Sequence, residues 1–341
     1  MAEAGTSMLD KLLKKHETYL FLIIIAYAVV VTSVNRSFMT FENLFDILRS
    51  GAGMGILAMG VLVALLSGGI DVSFTAVAIS GGYIAVRVIM ATGVDNLFAA
   101  FAISCSIGIV LGLINGLIIS YFKLPTLIAT LGTLNVFHGA LTTFVGTESV
   151  NARQMPSCFV NFGSAKIITL VSEQGSKYGL SVFVIPLVAV IVLTWFILRF
   201  TMLGRGIYAL GSNRESAKRA GFNITALQLF VYSYIGFLAG VMGVVFVSEV
   251  RWVNPVTLIG TELTVIAAVV IGGTKLTGGS GTILGTLLGV AIVTILYNTL
   301  VFLGLSAAWN NFFVGIIIII SIGITSYRNR IKNRKSLSFK T

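Results

Sequence analysis

Uncharged polar and aromatic side chains recur inside the longest apolar stretches of this sequence. Their amide, hydroxyl, imidazole and ring groups could hydrogen-bond to a neutral polar solute and stack on it without trapping it. The residues that could line such a path are Asn115, Thr130, Thr133, Asn135, Phe137, His138, Tyr297 and Asn298. For any one of them, the simpler interpretation is a contact or hydrogen bond between helices.

The residue types needed for catalysis or metal binding are not grouped in these stretches. Cys105 and Cys158 lie far apart in the sequence, and His16 and His138 are isolated, so no Ser–His, Cys–His or metal-ligand set is indicated. The pattern G-x-x-x-x-G-K-[ST] does not occur, and "GGTKLTGGSG" has the right residue types at the wrong spacing for a phosphate-binding loop. We therefore predict no enzyme activity, no bound metal or cofactor, and no nucleotide hydrolysis by this chain alone.

The elements that must position these side chains are predicted to be membrane-spanning helices. Of 341 residues, 56% are hydrophobic and only 10% are charged, which is too little charge for the surface of a soluble domain. Several apolar runs approach the ~20 residues that cross a bilayer as a helix. The sequence predicts an all-α polytopic membrane protein with about ten transmembrane helices, at roughly 19–34, 51–67, 74–91, 97–119, 126–146, 179–199, 225–247, 259–273, 281–303 and 309–326.

The distribution of basic residues predicts the orientation of these helices. If the N-terminus is cytoplasmic, sixteen of the 23 Lys and Arg residues fall in cytoplasmic segments or at their membrane edge. Both termini are then cytoplasmic, as a tail at 1–18 and a basic tail at 327–341, and the loop 200–224 is cytoplasmic too. This asymmetry explains the net charge of +11 without a nucleic-acid partner.

Few ionisable residues lie where ion-coupled transport would need them. Asp71 is predicted in a cytoplasmic turn, and Glu262 near the outer start of a helix. Proton or sodium coupling usually relies on ionisable groups deep in the membrane. A coupled mechanism is therefore the less favoured alternative.

The stretch "YALGSNRESAKRAGFNI" is unusually polar for this chain. Ser212 followed by Glu215 fits a capping box that begins a helix, and Gly221 fits the left-handed position that ends one. Ala217 and Ala220 then share one side of about two helical turns. The pattern alone fits equally a solvated connector and a helix on which another protein docks.

Two predicted cytoplasmic turns are similar, "LLSGGIDVS" and "VVIGGTKLT". Their structural residues are predicted to be Gly68, Gly69 and Asp71 in the first, and Gly272 and Gly273 in the second. The Asp71 carboxylate could accept backbone amides at the start of the following helix. The likeness is compatible with an internal repeat without requiring one. Glycines elsewhere at spacings of three or four are typical of close helix packing.

Four segments resemble, in order, the permeases of ABC importers of the ribose, simple-sugar and autoinducer-2 type. They are "LSGGIDVSFTAVAISGG", "INGLIISYFKLPTLIATLGTLNVFHG", "GSNRESAKRAGFNI" and "ELTVIAAVVIGGTKLTGGSGTILGTLLG", and the resemblance covers roughly residues 50–326. Thr75 stands where the family commonly has glycine. The third segment matches the family's cytoplasmic coupling segment, which implies ATPase coupling by Gly211, Ser212, Asn213, Glu215, Ala217, Ala220 and Gly221.

The resemblance implies a single transmembrane permease domain over residues 1–341, in the inner membrane of a bacterium. Its partners would be a second permease copy or paralogue, a cytoplasmic subunit that uses ATP and Mg²⁺, and a periplasmic or lipid-anchored sugar-binding protein. The cargo would be a small neutral sugar or a sugar-like molecule. The alternative is a secondary transporter or facilitator that acts alone on a small polar solute.

Overall fold

The computed structural model describes residues 16–171, 175 and 177–302, together with a few positions between 306 and 323. The helix predicted at 309–326 and the tail at 327–341 lie outside the continuously described residues. So does nearly all of the tail at 1–18.

The described chain is predominantly helical. The first five helices are α1 (His16–Val34), α2 (Phe41–Leu66), α3 (Phe74–Thr92), α4 (Leu97–Phe122) and α5 (Thr126–Ala140), which continues as a π-helical turn (Leu141–Val145). A short helix α6 (Ser157–Ser164) precedes the strands β1 (Lys166–Val171) and β2 (Lys177–Ser181). The remaining helices are α7 (Val184–Phe200), α8 (Met202–Ser212), α9 (Arg214–Arg219), α10 (Ile224–Val250), α11 (Glu262–Ile271) and α12 (Ile283–Phe302).

Seven of the described helices are long and apolar enough to cross a membrane, or eight if α7 and α8 form one bent span. The chain is therefore a multi-pass membrane protein, as predicted. The predicted helix at 259–273 is shorter in the structure, where α11 has 10 residues. At 1.5 Å per residue it is about 15 Å long, half of a ~30 Å bilayer core.

Helices α2, α3 and α10 form the interior of the bundle, and α1 lies at its edge with most of its side chains uncovered. Glycines let these helices approach through their backbones. A Cβ on Gly236 would collide with the Gly108 carbonyl of α4, and one on Gly243 would lie 2.9 Å from the Gly82 nitrogen of α3. The predicted packing role of such glycines is confirmed at these contacts.

One end of the bundle, here called the strand end, carries the links 93–96, 146–183 and 251–261. The antiparallel pair β1–β2 lies here, so the all-α prediction missed a small hairpin. Val150 pairs with Val253 across two of the links, and Arg87 forms a 3.0 Å ion pair with Glu148. At the strand end, hydrogen bonds and an ion pair thus hold these links to one another and to α3.

A second contact at the strand end joins the α3–α4 link to α6. The Asp95 carboxylate accepts the Cys158 backbone N–H at 2.8 Å and a short hydrogen bond from the Ser157 hydroxyl. Hydrogen bonds from Cys158 and Ser157 hold the pKa of Asp95 below its usual value. Asp95 therefore stays ionised at neutral pH and fastens the start of α6.

The opposite end, here called the glycine-turn end, carries the turns 67–73, 201–223 and 272–282. If it is cytoplasmic, a cysteine at Ser216 should resist an impermeant thiol reagent added to intact cells, whereas a cysteine at Ser149 should be labelled. Both positions are exposed in the structure. Cys105 and Cys158 must first be replaced by alanine, because Cys158 lies at the strand end and is partly exposed. Reversed labelling would contradict the orientation.

Candidate functional site

Three turns from distant parts of the sequence meet at the glycine-turn end. The Gly279 N–H donates to the Leu66 carbonyl at 3.0 Å. A Cβ on Gly211 would collide with that same carbonyl and lie 2.6 Å from the Gly279 nitrogen, and one on Gly278 would lie 2.7 Å from the Gly68 Cα. We call Gly68, Gly211, Gly278 and Gly279 the glycine contact. Only glycine allows these backbones to touch without displacement.

The sequence identified half of this contact. Gly68 and Gly211 were predicted site residues, and the structure brings them together. Gly278 and Gly279 were missed, although both adopt positive φ angles of 90° and 71° in the quoted "GGTKLTGGSG". Consecutive glycines after "KLT" are the local signal that could have indicated a tight turn there.

The predicted structural turn residues occupy other places in the same region. Gly69 lies against the Tyr232 hydroxyl, because a Cβ there would be 2.5 Å from it. A Cβ on Gly272 would lie 2.6 Å from the Gly285 carbonyl carbon, where α11 packs on α12, and Gly273 has φ +92° beside the His16 ring. The two similar turns therefore have different partners.

Helix α8 reaches the glycine contact through a sharp bend. The axes of α7 and α8 differ by 76°, and Thr201 between them accepts the Gly204 N–H at 3.2 Å. The Tyr208 hydroxyl of α8 donates to the Gly281 carbonyl at 3.3 Å, which adds a second link to the 272–282 turn.

The predicted capping box at Ser212 and Glu215 is wrong. Ser212 is the last residue of α8, where its hydroxyl donates to the Tyr208 carbonyl at 2.9 Å. Asn213 adopts the extended conformation and accepts the Ser216 N–H at 2.8 Å, so Asn213 is the N-cap of α9. The reason is that a helix not predicted from the sequence, α8, includes Ser212, and a residue already in a helix cannot cap the next one.

The predicted end of this helix is confirmed. Gly221 has φ +88°, its N–H donates to the Lys218 carbonyl at 3.0 Å, and the Phe222 N–H donates to the Ala217 carbonyl at 3.2 Å. This pair of bonds is a Schellman motif. Helix α9 thus has six residues, about 9 Å, instead of two full turns.

The accessible face of α9 differs from the predicted one. Ala217 is only 1% exposed because the chain itself covers it, whereas Ala220 at the C-cap is exposed. The two alanines therefore do not share an accessible side. The exposed residues are Arg214, Glu215, Ser216, Lys218, Arg219 and Ala220.

Asp71 lies in a buried, hydrogen-bonded turn between α2 and α3. Its Oδ1 accepts both the backbone N–H and the hydroxyl of Ser73, each at 2.7 Å. The Asn115 amide donates to the same Ser73 hydroxyl at 2.7 Å. Thr130 accepts the Val72 N–H at 3.3 Å. Asn115 and Thr130, two predicted path residues, thus have internal partners that hold this turn.

Glu262 lies at the start of a helix, as predicted, but its side chain is buried and hydrogen-bonded. At the start of α11 it accepts a short hydrogen bond from the Thr75 hydroxyl and the Gly260 N–H at 3.0 Å. Thr75 lies in the first turn of α3, close in sequence to the Asp71 turn. The residues leading to α11 therefore descend into the bundle, and this carboxylate is held by two donors.

The other predicted path residues are spread over separate places. Along α5, Thr133 donates to the Thr130 carbonyl, Phe137 is buried, and Asn135 is exposed. His138, also on α5, is only partly buried. On α12, Tyr297 lies 3.4 Å from the Thr264 hydroxyl of α11, and the Asn298 amide donates to Ser50 of α2 at 3.0 Å. The structure does not bring all eight together; α5 carries the longest run of them.

The chain matches one family of transport permeases and has similar relatives among known proteins. A family model described as "Branched-chain amino acid transport system / permease component" matches residues 43–322. The chain is 35% identical over 314 residues to the ribose import permease protein RbsC of Bacillus subtilis strain 168, covering 92% of this chain and 93% of that protein. It is 31% identical to RbsC of Escherichia coli K12, covering 86% and 88%.

A relative named for a different cargo is as similar to this chain as RbsC of Escherichia coli K12. The autoinducer 2 import system permease protein LsrC of Enterobacter sp. strain 638 is 31% identical, with 90% of this chain and 86% of that protein covered. No solved structure matches the chain.

Proposed function

Because this chain belongs to the branched-chain amino acid transport system / permease component family, we propose that it is the membrane-spanning permease subunit of an ATP-driven importer. Relatives named for ribose and autoinducer 2 support a small neutral sugar or sugar-like cargo. The importer would lie in a bacterial inner membrane. It would contain a second permease copy or paralogue and receive cargo from a periplasmic or lipid-anchored binding protein.

The glycine contact is the observation that carries this proposal. Helix α8 touches the 67–69 and 277–279 turns through backbone atoms, with no side chain between them to absorb a displacement. A force on the exposed residues of α9 would therefore move the links between α2 and α3 and between α11 and α12. An ATPase that consumes ATP and Mg²⁺ on the cytoplasmic side could supply that force, while this chain itself binds no cofactor.

Uptake into reconstituted vesicles tests the proposal directly. With the ATPase, the cargo-binding protein and ATP present, labelled ribose should accumulate; with a hydrolysis-deficient ATPase it should not. Autoinducer 2 in a parallel assay distinguishes the two candidate cargoes. Equilibrative uptake by the permease alone would contradict the proposal and support the facilitator.

The docking role of α9 is tested at Ala220, because its side chain is accessible. Ala220→Trp should leave the permease inserted but lower co-purification of the ATPase by about tenfold, since overpacking a fitted contact costs about 1–3 kcal/mol. Ser149→Trp, exposed at the strand end, is the matched control and should have no effect on ATPase binding. If Ala220→Trp retained the whole complex and normal uptake, α9 would be a connector only.

Ala217→Trp is a poor probe of docking, because the Ala217 side chain is buried within the permease itself. No room exists for an indole at a side chain that the chain itself covers. We expect this variant to reduce the amount of folded permease, as measured by monodisperse protein in detergent.

A further inference from the structure

A cavity of about 510 Å³ lies beside the glycine contact and has no assigned role. It is open on one side and bordered by the link between α4 and α5, the junction of α8 and α9, the first turns of α10 and the 67–69 turn. Its lining residues include two cations, Lys123 and Arg214, and no Asp or Glu. Within the described residues neither cation forms an ion pair. The ion pair in that part of the chain joins Arg87 and Glu148, at the opposite end of the bundle.

The start of helix α5 adds further positive potential to this cavity. Pro125 is its N-cap and provides no side-chain hydrogen bond. The first helical bond runs from the Ala129 N–H to the Pro125 carbonyl at 3.1 Å, so the N–H groups of residues 126–128 have no acceptor within the helix. Thr126 and Leu127 line the cavity. An uncapped helix N-terminus of this kind attracts anions.

Two buried polar atoms in the cavity wall form no well-aligned hydrogen bond, although the Tyr232 hydroxyl lies near the Thr126 side chain. The Tyr232 hydroxyl and Gln228 Oε1 make no hydrogen bond of normal geometry within the described part of the chain, and Tyr232 is 1% exposed. Buried polar groups are nearly always satisfied, by protein, water or a ligand. A hydroxyl donor beside two cations and free backbone amides matches the oxygens of a phosphate group.

We propose that this cavity binds a phosphate group. The phosphate could belong to an anionic lipid or to a small soluble ester, which share the same chemistry. Tyr121, Phe122 and Leu124 next to Lys123 are exposed apolar residues, as expected where a helix end meets lipid headgroups. Basic pockets between transmembrane helices are a known type of headgroup site.

The test is ligand-dependent thermal stability of the full-length permease in vesicles. One arm titrates inorganic phosphate into vesicles of phosphatidylcholine alone, with chloride as the ionic-strength control. The other arm compares those vesicles with vesicles that also contain phosphatidylglycerol. Stabilisation in the first arm identifies a soluble phosphate site, and stabilisation only in the second identifies a lipid site.

Matched double variants make the result specific to this cavity. Lys123→Gln with Arg214→Gln should weaken the apparent affinity about tenfold or more, because two charge-assisted contacts are lost. Lys218→Gln with Arg219→Gln removes the same charge from exposed residues that do not line the cavity, and should leave the affinity unchanged. Equal effects of the two double variants, or no stabilisation in either arm, would overturn the proposal. Both arms measure the thermal stability of the permease, which depends neither on transport nor on the ATPase. Failure of the phosphate-site proposal can therefore be distinguished from failure of the proposed function.

Discussion

Replacing Gly211 with valine is expected to lower the initial rate of ATP-driven uptake about tenfold or more. The new Cβ would collide with the Leu66 carbonyl oxygen and lie 2.6 Å from the Gly279 nitrogen, two atoms in groups already joined by a hydrogen bond. Backbone atoms cannot rotate away as a flexible side chain can. Overpacking typically costs about 1–3 kcal/mol even where side chains give way, and about 1.4 kcal/mol is a factor of ten.

The matched control for this prediction is a glycine in open space. A Cβ on Gly132 meets nothing within 4 Å in the described structure, so Gly132→Val should transport nearly normally. Uptake, inserted protein and ATP hydrolysis should be measured together. We expect Gly211→Val to separate hydrolysis from uptake in the protein that does insert. Normal uptake by this variant would show that the glycine contact does not transmit movement.

Replacing Asp71 with leucine is expected to reduce the yield of folded permease severely, whereas Asp71→Asn should retain at least about half of the transport. Leucine removes the acceptor for the Ser73 N–H and hydroxyl, and each buried group left unsatisfied costs about 1–3 kcal/mol. The asparagine Oδ1 can accept both bonds in the same place. The measurements are folded yield by size-exclusion chromatography and uptake per inserted permease.

The pair of variants separates a structural role of Asp71 from a charge-dependent one. Asn115→Leu is a useful companion, since it removes the donor to Ser73 without touching the carboxylate, and should cost less than Asp71→Leu. If Asp71→Asn folds fully but transports nothing, the negative charge itself is required. Ion coupling would then return as a mechanism.

The helices that the sequence located best are those with uninterrupted apolar runs and clear caps. Helix α4 was predicted at 97–119 and spans Leu97–Phe122, with Asn96 accepting the Phe98 N–H at its start. Helix α11 was predicted at 259–273 and spans Glu262–Ile271, because Ile259 belongs to the turns that precede the helix and Gly272 and Gly273 belong to the turn that follows it. Hydropathy alone does not distinguish a buried loop from a helix.

The candidate site was harder to predict because its contacts join distant segments. Gly221 could be identified locally, since a left-handed cap depends only on its neighbours. Ser212 and Asn213 are both good N-cap residues, and only the length of α8 decides between them. The partners of Gly278 and Gly279 lie more than 60 residues away, at Leu66 and Gly211, so no local pattern could reveal them.

The short helix α11 has a consequence for how the protein enters the membrane during synthesis. Ten residues that begin with Glu262 are too few to partition into the bilayer as an independent hydrophobic segment. Helix α12 has 20 residues, and Gly289 of α12 packs directly against the Ala268 carbonyl of α11. The two helices should therefore leave the insertion machinery as one hairpin, so that a nascent chain truncated before α12 would leave α11 outside the membrane.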